Sequence, residues 1–301
     1  MKMRTTYMAY GLRISSEIQF PQLAQKSYDD VDLSITLGAV PSHLTDPEAI
    51  LQGGEFAENE LLLSAPGIGR FHVCDGKRIT VEPAAGADMQ SLHLHLLGSC
   101  AAAILHQRQE TVLHASCVTR GATTFTLCGT SGAGKSTTAA SFVLQGYSII
   151  SDDVTLINLD NGPIAVPSYP QGKLFRSSLE LLNLSTDGAT ELRLKPDKFA
   201  RELGESYCDR PKRLDAIVFL TISDSIHPQI RKLNAAETVR FLHKKTFRKR
   251  FIGKARLPEA LRKWSLLAEQ VPAYHLTRPS AGNSIDEVCS LVEGALAGTH
   301  G

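Results

Sequence analysis

The sequence predicts an α/β fold: a smaller β-rich domain over residues 1–88, then an α/β domain over residues 89–301 built around a phosphate-binding loop. Three observations carry this. The first 88 residues hold short strand-like apolar runs separated by turn residues. From Met89 onward, helical and strand-like periods alternate, as they do in sheets covered by helices. Between the apolar run Thr124–Cys128 and the helix-like run Thr137–Leu144 stands Gly129-Thr130-Ser131-Gly132-Ala133-Gly134-Lys135-Ser136. This octet fits G-x-x-x-x-G-K-[ST] at every position, in the strand–loop–helix setting that the motif requires.

The elements follow in order. Strands are expected at Tyr7–Ile18, Val31–Val40, Glu60–Ser64 and Gly69–Val73. The last forms a hairpin with Arg78–Val81, because Asp75-Gly76 suits a tight two-residue turn. Glu82–Ala87 reads as a linker, and Met89–His106 has helical apolar spacing. Val112–Thr119 and Thr123–Cys128 read as neighbouring strands around the turn Arg120-Gly121-Ala122. The helix Lys135–Leu144 ends at Gln145-Gly146, a good C-terminal cap. Short strands are expected at Tyr147–Ile150, Val154–Leu159 and Ile164–Pro167, then helical stretches near Ser177–Leu184 and Asp197–Leu203. Leu214–Ile222 is a continuous apolar run, as in a strand buried on both faces. Strands Gln229–Leu233 and Ala273–Thr277 and helices Ala235–Lys244, Pro258–Gln270 and Ser284–Leu296 complete the chain.

Composition narrows the function. The 301 residues carry a formal net charge of +1, so no global charge favours a nucleic-acid partner. The 6 cysteines are scattered without metal-ligand spacing, two of them (Cys117 and Cys128) in apolar runs. They fit small buried hydrophobes of a reducing compartment better than disulfides or zinc ligands. Met1–Tyr10 lacks the apolar core of a signal peptide, and no run is long enough to span a bilayer. The expectation is a cytoplasmic protein with no membrane partner.

The loop implies a nucleotide. Glycines let the backbone wrap so that its N–H groups converge on phosphate oxygens, and the helix N-terminus adds partial positive charge. Lys135 can reach β- and γ-phosphates, and the Ser136 hydroxyl can ligate Mg²⁺. Gly129 through Thr137 are therefore the candidate ATP-binding residues. Ser151-Asp152-Asp153 follows the next strand, and His114 begins the strand that precedes the loop strand. Ligands collect beyond the carboxyl ends of parallel strands. Paired acids there can divide two tasks, one organising Mg²⁺ and one meeting a substrate hydroxyl. A lone acid would serve a hydrolase; two favour a kinase.

His114, the loop and Ser151-Asp152-Asp153, at these spacings, resemble the core of the bacterial HPr kinase/phosphorylases over about Val112–Leu159. The resemblance implies a P-loop kinase core of the HPr kinase/phosphoenolpyruvate carboxykinase type. It implies Asp152 as general base with His114 near it, and Lys135, Ser136 and Asp153 managing phosphates and metal, the roles of the two acids being open to exchange. Ser131 matches a family serine beside the transferred phosphate. The chain departs from that family downstream. A Glu-Ile-Arg-Gly-Leu-Gly-like stretch, linked there to a second metal and to partner contacts, is replaced here by Ser168–Ser177. Tyr7–Leu23 and Tyr169-Pro170 with Lys173-Leu174-Phe175 look more like the related enzymes of peptide gene clusters. The best-defined of those are the lasso-peptide precursor kinases, which phosphorylate a C-terminal serine with ATP. That resemblance implies a precursor-peptide partner, and the hexameric HPr kinases imply a homo-oligomer. An HPr-type serine kinase and a non-catalytic nucleotide switch are the alternatives.

Other features have simpler readings beside the functional ones. Arg240–Arg256 contains no acid, and is either a solvated face or a grip on phosphates or an acidic peptide, with Phe241, Phe247 and Phe251 turned inward. Lys173 and Arg176 are either surface residues or neutralisers of the transferring phosphate. Trp264, with Leu261 and Leu267 at helical spacing, reads as core. His93 and His95 point to different helix faces and receive no metal role.

Overall fold

The computed structural model describes residues 4–297. Met1–Met3 and Gly298–Gly301, the outer ends of the two expected domains, lie outside the described residues. The chain divides into two compact units. One comprises Met1–Val112, Leu192–Leu194 and Phe247–Ala260; the other comprises Leu113–Glu191, Lys195–Thr246 and Leu261–Gly301. The boundary expected at residue 88 falls inside the first unit. The reason is the helical segment after it, which packs into that unit's own sheet. Leu92, Leu96 and Ile104 are fully buried, the His95 ring stacks on Phe71 at 5.6 Å, and the Tyr10 hydroxyl donates to the Leu97 carbonyl at 2.7 Å.

That sheet has eight strands, in the order Thr5–Ala9, Leu12–Ser16, Leu33–Leu37, Arg78–Pro83, Gly69–Cys74, Glu60–Ala65, Gly54–Ala57 and Ala49–Leu51. The single run expected at Tyr7–Ile18 is a hairpin. Tyr10 (φ 53°) and Gly11 (φ 69°) both take the left-handed conformation of a tight turn whose twist matches its strands. The Asp75-Gly76 hairpin forms in the same way, with φ of 58° and 63°. The helical segment carries a π-helical turn, Leu96–Cys100, between Met89–His95 and Ala101–Gln107.

The second unit is organised by a six-stranded sheet in the order Ser148–Ser151, Ala115–Arg120, Thr123–Gly129, Ala216–Ser223, Ala273–Pro279 and Gln229–Lys232. The loop strand Thr123–Gly129 pairs in parallel with Ala216–Ser223, which pairs in parallel with Ala273–Pro279. All five core residues Ala216–Leu220 are buried, as a strand covered on both faces requires. The helix Lys135–Leu144 covers one face, where Phe125, Phe142 and Tyr147 meet edge to face at 5.0–5.8 Å. Gly146 (φ 88°) ends that helix. Its N–H reaches the Val143 carbonyl and the Tyr147 N–H reaches that of Phe142, each at 3.0 Å, closing a Schellman motif.

Two further expectations differ in this region. The stretch expected to be helical around Asp197–Leu203 is the strand Lys198–Glu202, the centre of a three-stranded sheet between Gln171–Phe175 and Thr190–Glu191. Left-handed residues bracket it, Asp197 (φ 61°) and Gly204 (φ 50°), and pairing with Gln171–Phe175 satisfies its backbone. The helix expected from Pro258 begins earlier and spans Gly253–Gln270. Trp264 is core, at 2% exposure. Phe241 and Phe251 of the basic stretch turn inward, onto Phe219 (4.9 Å) and Phe56 (6.4 Å) respectively.

Candidate active site

Strand direction gathers the site. Ala115–Arg120 runs antiparallel to the loop strand, and Ser148–Ser151 runs antiparallel to Ala115–Arg120. The start of the first, the end of the loop strand and the end of the third therefore share one edge of the sheet. His114, Gly129 and Asp152 follow at that edge. His114 is also where the expected strand Val112–Thr119 breaks, into Thr111–Leu113 and Ala115–Arg120. Its N–H there donates to the Lys245 carbonyl at 2.8 Å, while its ring reaches Lys135 of the loop.

The loop needs its glycines at specific places. Gly132 (φ 82°) and Gly134 (φ 98°) are left-handed, and Gly134 precedes the helix Lys135–Leu144. A Cβ on Gly129 would meet the Cβ of Ala133 at 2.9 Å, so backbone and loop approach as only glycine allows. The first N–H groups of the helix have no carbonyl ahead of them, which leaves donors for an anion. Arg278, at the end of the Ala273–Pro279 strand, donates through Nε to the Ala133 carbonyl (2.9 Å) and through Nη2 to that of Gly132 (3.3 Å). In the sequence this clamp shows only as a lone arginine at a strand end. Thr130 and Ser131 are exposed at the loop tip, and the Thr137 hydroxyl is bonded to that of Ser178 at 2.7 Å.

The two acids part company. Asp153 has φ 74°, a left-handed backbone that turns its side chain away from that of Asp152. Asp152 is 4% exposed and accepts through Oδ1 from Ser116 Oγ (2.6 Å) and Ser136 Oγ (3.0 Å), and through Oδ2 from the Lys173 N–H (3.0 Å). Asp153 instead lies beside a histidine and a lysine. Its Oδ1 is 3.4 Å from His114 Nδ1 and its Oδ2 is 3.9 Å from Lys173 Nζ. The expected pairing of Ser136 with Asp153 is thus not the one the fold makes: the acid at Ser136 is Asp152, because the turn at Asp153 carries its carboxylate to the histidine side.

Lys135 is buried, donating to His114 Nε2 (3.0 Å) and to the Thr130 carbonyl (3.1 Å). Burial lowers the Lys135 ammonium to about 8, against the pull of Asp153 and Asp152. Burial first, then Lys135, also lowers His114, which is held neutral. Since Nε2 accepts from the lysine, the ring proton sits on Nδ1 and is donated to the Asp153 carbonyl at 2.9 Å. For Asp153, burial alone would raise the carboxyl. Lys173, then His114, Lys198 and Lys195, outweigh it and hold Asp153 ionised well below the usual carboxylate range. Lys198 is itself buried, with Nζ 5.3 Å from the Phe175 ring centre. No local pattern marks Lys195 or Lys198 in the sequence; Lys198 takes its place through the pairing of Lys198–Glu202 with Gln171–Phe175. Arg176 pairs with Asp197 at 3.2 Å and lies over the Phe199 ring.

Ser136 Oγ and Asp152 Oδ1, 3.0 Å apart, are hard oxygen donors, the kind Mg²⁺ prefers. Among the described residues no three His, Cys, Asp or Glu side chains group as a metal cage. Among the described residues no helix is long and apolar enough to cross a membrane.

No family model matches the chain, and no curated protein matches it. Among solved structures, the chain is similar to the Hpr(Ser) kinase/phosphatase from Coxiella burnetii. The identity is 11% and the TM-score 0.35, over 63% of this chain and 92% of that one.

Proposed function

We propose that the chain is an ATP- and Mg²⁺-dependent phosphotransferase that phosphorylates a serine hydroxyl, that of the C-terminal serine of a lasso-type precursor peptide. The observation that carries the kinase reading is the division of labour at one sheet edge: Asp152 with Ser136 on one side, Asp153 with His114 and Lys135 on the other. The peptide acceptor rests on the likeness of Tyr7–Leu23 and Tyr169–Phe175 to precursor-peptide kinases. The loop N–H groups and Lys135 hold the β- and γ-phosphates. Bound at Ser136 and Asp152, Mg²⁺ would supply charge neutralisation to those phosphates. The acceptor oxygen attacks the γ-phosphorus, the bond to the β–γ bridging oxygen breaks, and ADP leaves. The serine proton passes to Asp153, whose carboxylate has no hydroxyl competing for it as Asp152 has. His114, neutral, orients Asp153 and takes a hydrogen bond from Lys135. The acids thus exchange the roles that the family resemblance implies.

Intact-mass spectrometry tests the reading. Incubated with ATP and Mg²⁺, a precursor peptide ending in serine gains ~80 Da, the mass of one phosphoryl group, while the same peptide without that serine gains nothing. Gain on HPr alone moves the acceptor to a regulatory protein. No gain on either refutes a kinase and leaves a nucleotide switch.

A further inference from the structure

Lys173 touches both acids, and with different groups. Its backbone N–H donates to Asp152 Oδ2 at 3.0 Å, and its Nζ lies 3.9 Å from Asp153 Oδ2 while donating to the Tyr169 hydroxyl at 2.9 Å. The split follows from the strand. Gln171–Phe175 is the edge strand of its sheet and pairs on one side with Lys198–Glu202. The N–H of Lys173, opposite Ala200 in that register, is spent on Asp152 rather than on a strand partner. At 6% exposure, an ammonium is costly to keep unless paired. Its surroundings are one carboxylate, one phenol oxygen and the Tyr169 ring face, 5.5 Å away. Two carboxylates in succession repel one another, and a positive charge beside them offsets that repulsion. Phosphoryl transfer adds more negative charge at the same place.

We propose that Lys173 is the positioning residue for both acids and a fixed cation at Asp153, so that the site operates with one divalent ion, at Ser136 and Asp152, and no second ion at Asp153. This rests on the kinase reading. Mn²⁺ counted by its paramagnetic resonance, with the β,γ-imido analogue of ATP bound, gives one ion per chain in the unaltered protein. In Lys173→Ala, where Asp153 has lost its ammonium, it gives two. Two ions in the unaltered protein, or one in both, overturn the fixed-cation role. In steady state, Lys173→Ala loses ~100-fold in kcat, the scale of removing one charge-stabilising group, with KM for ATP unchanged within ~3-fold. Lys173→Arg regains at least ~10-fold of that loss by restoring the charge. An unchanged kcat in Lys173→Ala, or no recovery with arginine, overturns the positioning role. Should the alanine variant not fold, Lys173→Met keeps the apolar stem and gives the same readings. If the unaltered protein phosphorylates no peptide or protein, the kinase reading fails, while the ion count still decides on Lys173.

Discussion

The two sides of this site differ in what they offer a carboxylate. On the loop side, Asp152 is held by two hydroxyls and a backbone N–H; on the other side, Asp153 stands among a histidine and lysines. The residues are identical and adjacent. One left-handed φ at Asp153 sends their side chains into different chemistry. Neutral donors fix direction, whereas cations fix charge, and the proposed transfer would use one acid of each kind.

The largest expected effect breaks the symmetry between them. Asp153→Asn should lower kcat by ~10³-fold while nucleotide affinity changes little, as loss of a general base does. Asp152→Asn should instead weaken Mg²⁺-nucleotide binding, read by calorimetry. Equal losses of kcat with equal losses of affinity in the two variants would erase the distinction.

Two histidines, His114 partly exposed and His106 buried, sharpen the contrast between a site group and a structural one. His114 is lowered in the company of Lys135, while His106, whose Nε2 bonds the Phe247 carbonyl at 2.7 Å, is lowered by burial to about 4. A histidine whose folded value lies below its unfolded 6.5 stays neutral in the fold while the unfolded chain takes up a proton. Its contribution is present above pH 6.5 and is lost as pH falls toward 4. The full loss is ~3 kcal/mol. Denaturant melts between pH 7 and 4 should show this slope, and His106→Gln should flatten it without altering the pH dependence of transfer.

Gly134→Ala comes next. The new Cβ would stand 3.0 Å from Arg278 Nε on a backbone at φ 98°, so a loss of ~2 kcal/mol in stability is expected. Thermal melting reads the loss, and nucleotide titration should show weaker binding. Arg278→Ala should be the mildest, raising the nucleotide Kd ~10-fold through a looser loop with kcat nearly kept. A change confined to kcat would place Arg278 against the transferring phosphate instead.

The loop side was legible because its geometry is written in consecutive residues. Gly129–Ser136, the helix after it and the double aspartate need only strand–loop–helix order to be placed, and the helix Lys135–Leu144 has the bounds expected. The lysine side was not. Lys173 and Lys198 meet the acids through the pairing of Gln171–Phe175 with Lys198–Glu202, two short strands whose partners are distant in sequence. No local period announces such a pairing, and Asp197–Leu203 read as helix for that reason. Tyr10 hid a turn in the same manner, since a tyrosine at positive φ is not a turn signal. Which acid faces Ser136 likewise depended on one dihedral angle, which no spacing encodes.

The Arg278 clamp has a consequence for the order of events during synthesis. Two carbonyls of the loop are tied by a residue that follows them by 145 and 146 positions. Strand Ala273–Pro279 must also dock beside Ala216–Ser223 before that guanidinium is in place. On the ribosome the loop therefore emerges early and is tied late. A growing chain is kept from the finished geometry of this loop until Arg278 has been translated.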